Sequence, residues 1–285
     1  MTLVDTHCHL DYNKFDADRA DVLLRAQQAG VERIVIPGTN WTSSLSAVEQ
    51  AGSHPMLYAA IGVHPTEASA WTESDDSSRR LRSLGTSHSK IIAIGEIGLD
   101  YYWDSDPHDL QQSVLREQLD LAAELQLPVI LHFREKGDAV DGPCAWDLMK
   151  ILEEWANRLG RGKSPLVERP GVLHSFSGSR ETASRALALN FYLGVTGPVT
   201  YRKERQELVA GLPLERLLVE TDAPFLPPSP LRPSPGGRGA GVRVRNEPAN
   251  VRLIADKIAA LHSCSPEQAA AVTTANAKRL FGWKE

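Results

Sequence analysis

The sequence is poor in cysteine and has no long apolar run. Its three cysteines, Cys8, Cys144 and Cys264, have neither a paired spacing nor a C-x-x-C motif. This pattern disfavours a disulfide framework and a thiolate zinc site. No apolar stretch approaches the roughly 20 residues that a membrane-spanning helix requires. The first residues also lack the basic and apolar segments of a secretion signal, so we expect a cytoplasmic protein without membrane association.

The composition is that of a globular protein. The chain has 285 residues, of which 42% are hydrophobic and 24% charged, and its formal net charge is -5. A chain of this size buries roughly three quarters of its unfolded surface in one core. We therefore expect a single domain over residues 1–285 that needs no disulfide or obligate protein partner for stability.

Strand-like and helix-like patterns alternate from one end of the chain to the other. In the longest helical pattern, His108–Leu127, apolar residues recur at spacings of three and four before Pro128. Such alternation predicts parallel strands, and eight of them favour a single (β/α)8 TIM barrel over a doubly wound open sheet. The eight strand-like runs are Thr2–His7, Glu32–Pro37, Leu57–Gly62, Ile91–Gly95, Val129–His132, Gly171–His174, Phe191–Val195 and Leu217–Thr221.

Potential metal ligands follow five of these runs. His7 and His9 are two residues apart on one strand, so their side chains point to the same face. A single histidine of this kind is more often a satisfied core residue than a ligand, but that explanation fails for several strand-end residues together. Because active sites of (β/α)8 barrels lie at the carboxyl ends of the strands, the pattern predicts a metal centre there. The six candidate ligands are His7, His9, Glu96, His132, His174 and Asp222.

Seven short motifs in this order resemble those of one family. They extend from the first strand to the last helix, and their combined order and spacing are far more specific than any one of them. Together they are similar to the TatD family of metal-dependent deoxyribonucleases, a branch of the amidohydrolase superfamily. The motifs are Asp5–Leu10, Gly62–Pro65, Gly95–Asp100, His132–Glu135, His174–Gly178, Glu220–Pro224 and Arg245–Pro248.

The resemblance implies two divalent metal ions and a role for each ligand. His7, His9 and Asp222 would hold the first ion, and two further histidines, His132 and His174, the second. Glu96 would bridge the ions, since a carboxylate offers two oxygens to cations about 3.5 to 4 Å apart. Ligand chemistry alone is compatible with zinc, manganese, iron or magnesium. The family likeness favours Mg²⁺ or Mn²⁺ and also allows Zn²⁺.

The activity that the resemblance implies is hydrolysis of phosphodiester bonds in DNA by a metal-activated water, from a 3′ end. Asp222 would accept or steer the proton of that water, and Glu96 would act with it in catalysis. The alternative interpretation of Asp222 is a helix cap. An alternative function is that of a metal-dependent amidohydrolase or esterase acting on a small molecule or an aminoacyl group. A nucleic-acid-binding protein with a structural metal is a third hypothesis, which the open ligand pattern disfavours.

Substrate binding is predicted at basic side chains near the strand ends. His64 follows the third strand, and Arg134 shares a strand face with His132, so both are candidates for a phosphate or leaving-group contact. An ion pair is an equal alternative for Arg134. A loop after the eighth strand has four arginines and no acidic residue, which predicts either a polyanion-binding rim or a solvated loop. These arginines are Arg232, Arg238, Arg243 and Arg245, of which Arg245 is the candidate substrate contact.

The remaining predictions concern supporting residues. Asp100 is expected to orient a histidine, and Glu220, which has the strand parity of Asp222, to support the site. The aromatic run Tyr101–Trp103 either stacks on bases or packs as a lid. Residues Asn157–Arg169, with two glycines and two prolines, are expected to form an extended loop without function.

Overall fold

A computed structural model of the protein describes residues 1–72, 76–103, 105–231 and 244–283, in which eight strands alternate with helices. The strands are β1 (Leu3–Asp5), β2 (Val31–Pro37), β3 (Leu57–Ile61), β4 (Ile91–Asp100), β5 (Val129–Arg134), β6 (Gly171–Leu173), β7 (Tyr192–Val195) and β8 (Leu217–Val219). The α-helices are α1 (Arg19–Gln28), α2 (Trp41–Ser53), α3 (Ala68–Thr72), α4 (Ser77–Gly85), α5 (His108–Leu125), α6 (Pro143–Arg161), α7 (Arg180–Ala188), α8 (Lys203–Ala210), α9 (Val251–Leu261) and α10 (Pro266–Phe281).

The strands form one sheet in chain order, β1 to β8. The described pairings are all parallel: β1 with β2, β3 with β4, β4 with β5, β5 with β6, and β6 with β7. Parallel strands that follow one another in chain order and are connected by helices define the (β/α)8 TIM barrel. The fold class predicted from the sequence is confirmed.

The first of two compact units comprises Met1–Ile36 and Gly194–Ala277. Its helix α9 packs against β1 and β8. Val251, Ile254 and Ile258, at spacings of three and four, lie on the buried face of this helix and are fully inaccessible to solvent. Burial of each such side chain contributes about 1.5–3 kcal/mol to stability.

The second unit comprises Pro37–Leu193 and Lys278–Glu285. Its helix α5 packs on β4 through Leu115, Leu119 and Ala122, all buried. The helix ends at Leu125, and Gln126 takes a left-handed conformation with φ 56°. The helical pattern predicted from His108 thus forms, but is two residues shorter. The expectation of one domain over the whole chain stays a prediction.

Two sequence predictions are wrong in extent. Strand β4 continues to Asp100 instead of ending at Gly95, so Asp100 is a strand residue. The segment expected to be an extended loop from Asn157 to Arg169 begins as helix, because α6 continues to Arg161. Leu159 in that last turn is buried, and its packing outweighs the glycine that follows it. Among the described residues, no helix is both long and apolar enough to cross a bilayer.

Candidate metal-binding clusters

The chain beyond β1 runs beside the chain beyond β8. The amide of Asp222 donates to the His7 carbonyl at 2.9 Å, and the amide of His9 donates to the Ala223 carbonyl at 2.8 Å. An isolated parallel bridge joins Cys8 to Ala223. The two segments that carry His7, His9 and Asp222 are therefore aligned by their own backbones.

A buried carboxylate, Asp5, fixes the same alignment. One of its oxygens accepts from the Thr221 amide at 2.9 Å, and the other accepts from the Thr221 hydroxyl at 2.6 Å. Burial raises the pKa of Asp5 to about 7, although the bonds from Thr221 lower it in part. Asp5 lies inside a recognised motif, but sequence reasoning assigned it no role because its partner is 216 residues away.

His7, His9 and Asp222 bring three donor atoms together. His7 Nε2 lies 3.2 Å from His9 Nε2, and Asp222 Oδ1 lies 3.8 and 3.5 Å from these two nitrogens. Two donors that each bind one ion at about 2.1 Å are at most about 4.2 Å apart. These three side chains thus fit one divalent cation. Asp222 has φ 53°, a left-handed conformation that aspartate tolerates better than most residues.

In the second unit, a β-bulge positions Glu96. Ile94 pairs with Val129 and Ile97 with Leu131, so β4 has one more residue than β5 in this interval. Such an extra residue redirects a side chain. The Glu96 carboxylate lies 3.1 Å from His132 Nδ1.

His174 belongs to the same group of donors. It directly follows β6 and is buried, and its amide donates to the Leu131 carbonyl at 2.8 Å. Glu96 and His174 each offer a donor atom within 4.8 Å of the other. Glu96, His132 and His174 are therefore a second set of nitrogen and oxygen donors.

The other ring nitrogen of His132 is held by Asp100. His132 Nε2 lies 2.8 Å from Asp100 Oδ2. Burial lowers the pKa of His132, but its hydrogen bonds to Asp100 and Glu96 outweigh burial and raise the pKa to about 9. For Asp100, burial raises the pKa of the carboxyl, but the bond from His132, the charge of that ring and the Trp103 amide together outweigh burial and lower the pKa. A carboxylate on Nε2 leaves Nδ1, beside Glu96, as the nitrogen for a metal.

His64 presents its Nε2 to the same carboxylate. The amide of Thr66 donates to His64 Nδ1 at 3.2 Å, so a neutral His64 carries its proton on Nε2. This Nε2 lies 3.8 Å from Glu96 Oε1, and the His64 and His132 rings are 4.4 Å apart. A neutral His64 is thus a hydrogen-bond donor rather than a ligand.

The predicted arginine contacts differ in their surroundings. Arg134 is partly exposed, and its guanidinium lies 3.6 Å from the centre of the Tyr102 ring. Arg245 donates to both carboxylate oxygens of Asp18, each at 2.7 Å, and to the Lys14 carbonyl. Arg245 thus serves the local structure, and its role in substrate binding stays a prediction. The other rim arginines, Arg232, Arg238 and Arg243, lie outside the described residues.

Glu220 and Tyr101 are buried. Glu220 accepts from the Thr6 hydroxyl at 3.3 Å in the first unit. Residue 194 must be glycine for this carboxylate to fit, because a Cβ there would overlap it. Tyr101 donates its hydroxyl to Asp147 at 2.9 Å, so this ring packs in the core rather than offering a surface for bases.

Comparison with known proteins agrees with the sequence motifs. Residues 4–282 match the model of the family described as TatD related DNase. The uncharacterized metal-dependent hydrolase YabD of Bacillus subtilis is 42% identical over 282 residues, which is 98% of each chain. The 3′-5′ ssDNA/RNA exonuclease TatD of a Pantoea species is 37% identical, over 98% of this chain and 99% of the relative.

A solved structure extends the likeness to the backbone. The crystal structure of YJJV, a TatD homolog from Escherichia coli, superposes with a TM-score of 0.78 at 34% identity, over 99% of this chain and 98% of that one. The family resemblance in the motifs is thereby confirmed. The chain is a metal-dependent hydrolase that belongs to the TatD related DNase family.

Proposed function

We propose that this protein is a 3′-5′ exonuclease that hydrolyses phosphodiester bonds of DNA and requires two divalent metal ions. The main support is the pair of donor sets at strand ends, composed of histidine and carboxylate without thiolate. Such donors leave positions for water, unlike a closed structural zinc site. The Pantoea relative, described as a 3′-5′ ssDNA/RNA exonuclease, supports the choice of substrate.

In this proposal each donor set serves one ion. As the family resemblance implies, His7, His9 and Asp222 would hold the first ion, His132 and His174 would hold the second, and Glu96 would supply its carboxylate to both. The ions, as Mg²⁺, Mn²⁺ or Zn²⁺, would lower the pKa of a water molecule and offset the charge of the phosphate. The β4 bulge and the 3.1 Å distance between Glu96 and His132 Nδ1 support the assignment of Glu96 as a ligand.

We assign one side chain to proton acceptance and another to hydrogen-bond donation. Asp222 would accept the proton of the attacking water, because its Oδ1 lies 3.8 and 3.5 Å from the Nε2 atoms of His7 and His9, which would hold the first ion. His64 donates its Nε2 proton in a hydrogen bond to a phosphate oxygen or the leaving oxygen, and Thr66 fixes this tautomer.

The experiment is digestion of a 20-nucleotide single strand of DNA labelled at either end, with Mg²⁺, Mn²⁺ or Zn²⁺. Glu96→Gln is compared with the parent, and Glu153→Gln, which weakens a partly buried pair between α6 and Arg185 of α7, is the matched control. We expect the first change to reduce the rate by at least about 100-fold, since loss of an outer partner of a ligand already costs about 10–100-fold. The control should retain the parent rate.

The products show the polarity of digestion and whether the activity belongs to this protein. Shortening from the 3′ end, seen as a ladder with the 5′ label, supports the exonuclease, whereas shortening from the 5′ end contradicts the proposed polarity. Cleavage that survives Glu96→Gln indicates a contaminant. Absence of cleavage with all three metals refutes the proposal and leaves carboxylic ester and amide substrates to be tested.

A further inference from the structure

An exposed aromatic pair follows β4. Trp103 is 55% exposed and Tyr102 is half-buried, and their ring centres are 4.8 Å apart at 76°. The Arg134 guanidinium lies 3.6 Å from the Tyr102 ring centre and 5.9 Å from that of Trp103. The guanidinium thus lies over both rings at distances within the range of cation–π attraction, and it is closer to Tyr102.

The pair is tied to the metal-binding side chains of the same unit. The Asp100 carboxylate binds His132 through Oδ2, while its Oδ1 accepts from the amides of Tyr102 and Trp103 at 3.0 and 3.1 Å. Arg134 is two residues beyond His132 on β5, so both side chains lie on one face of the strand. The backbone that carries the aromatic pair is therefore held beside His132.

The chemistry of this surface fits one class of ligand. A half-exposed indole offers its π-face to a flat ring, and stacking on a base is favourable for every base type. Arg134 donates its Nε to Asp138 at 2.8 Å, which keeps the planar guanidinium against Tyr102. The other N–H groups of the guanidinium can donate to phosphate oxygens. A nucleotide combines a flat ring with a phosphate, so it matches both groups of this surface.

An indole can stack only on a base that has an uncovered face. Inside a duplex, both faces of each base are covered by its neighbours, so an indole has no access to them. An unpaired nucleotide exposes its faces at no cost in base pairing. We propose that Tyr102, Trp103 and Arg134 form a stacking platform for the base and phosphate of an unpaired nucleotide beside His132. This inference rests on the proposed function.

The test is equilibrium binding with Mg²⁺ present, followed by fluorescence anisotropy. The probe is a ten-nucleotide oligothymidylate with phosphorothioate linkages, compared with the same strand lacking bases at its three 3′-terminal positions. The variants are Trp103→Ala and Trp103→Phe. Trp146→Ala is the matched control, because Trp146 is 57% exposed and its indole donates to Asp141.

We expect the parent to bind the base-bearing strand about 5- to 30-fold more tightly than the abasic strand, as one half-exposed stacking contact provides. Trp103→Ala should abolish this preference, whereas Trp103→Phe and Trp146→Ala should retain most of it. Arg134→Ala should reduce the slope of log affinity against log salt by about 0.7, the value for one phosphate of a single strand. A preference that survives Trp103→Ala, or a parent without any preference, overturns the platform.

Cleavage of the unmodified strand separates this inference from the proposed function. If the parent cleaves DNA and Trp103→Ala has parent affinity and rate, the platform is refuted and the exonuclease stands. If the parent never cleaves but its base preference depends on Trp103, the platform stands and the exonuclease is refuted. A Trp103→Ala variant that loses only thermal stability shows that the indole packs as a lid, which also refutes the platform.

Discussion

Replacement of Asp100 by asparagine should weaken metal binding without removing any ligand. Its carboxylate accepts from His132 Nε2 at 2.8 Å, and so leaves Nδ1, beside Glu96, for a metal. An asparagine amide in this place donates to Nε2 instead. The histidine proton then moves to Nδ1, and the lone pair that would bind the ion is lost.

The expected size of the effect follows from the contacts. Loss of the partner that orients a metal-binding histidine costs about 10–100-fold in metal affinity, or about 1.4–2.7 kcal/mol. The asparagine carbonyl oxygen can still accept from the amides of Tyr102 and Trp103, so the loop beyond β4 should keep its place. Asp100→Ala removes these two bonds as well, at about 0.5–1.5 kcal/mol each, and should lower Tm further.

Titration calorimetry with Zn²⁺ at pH 7.5 or so, where His132 must release a proton to bind metal, measures affinity and stoichiometry together. We expect Asp100→Asn to weaken one of the two binding events and to leave the other at parent affinity. Parent affinity for both events would refute the assignment of Nδ1 as the metal-binding atom. Circular dichroism before titration establishes that each variant is folded.

Four further perturbations have defined outcomes. Asp222→Asn keeps a residue that tolerates φ 53° but loses the anionic donor, so kcat should fall by about 100-fold or more. Gly98→Ala places a Cβ on the His132 carbonyl oxygen at φ 147° and should destabilise the fold by at least about 1–3 kcal/mol, read as a lower Tm. The hydrogen bond from Arg245 lowers the pKa of Asp18 from 3.8 to about 2. This pair therefore stabilises the protein above about pH 4, and the stabilisation is lost as pH falls towards about 2. Asp18→Asn should flatten this acid limb, which is the fall in the free energy of unfolding below about pH 4, measured by denaturant unfolding. Treatment with EDTA should abolish hydrolysis, and added Mn²⁺ or Mg²⁺ should restore it.

Each of these expectations has a contrary result. Unchanged turnover in Asp222→Asn excludes the carboxylate from catalysis, and loss of metal with turnover limits its role to ligation. A Gly98→Ala variant with parent Tm means that the two strands can separate there without cost. An acid limb that Asp18→Asn leaves unchanged means that other carboxylates govern acid unfolding. Hydrolysis in excess EDTA contradicts metal dependence.

Much of the fold was predictable because local pattern and tertiary environment agree. The buried strands β2 and β3 are apolar runs, and both bounds of each lie within one residue of the prediction. The local pattern predicts that β4 ends at Gly95, but the strand continues through Gly98 to Asp100. Both glycines are needed inside it, since Cβ atoms there would overlap Ile130 and the His132 carbonyl on the neighbouring strand. A close approach between strands is a tertiary property, and the local pattern does not contain it.

The candidate site was predictable only to the level of which side chains carry donor atoms. Strand-end placement indicates His7, His9 and Asp222, but the sequence does not reveal that Asp5 aligns their backbones through Thr221. For the same reason the three aromatic residues after Asp100 were indistinguishable. Their burial separates them, with Tyr101 in the core and Trp103 at the surface.

The carboxylate of Asp100 holds the loop beyond β4 by accepting hydrogen bonds from the main-chain amides of residues 102 and 103. No side-chain atom of these two residues takes part in those bonds. Amino-acid identity at these two positions is thus decoupled from the geometry of His132. Mutation there should change which substrates are preferred while the chemistry of bond cleavage is preserved. The loop is a place where specificity can evolve, or be engineered, without rebuilding the catalytic apparatus.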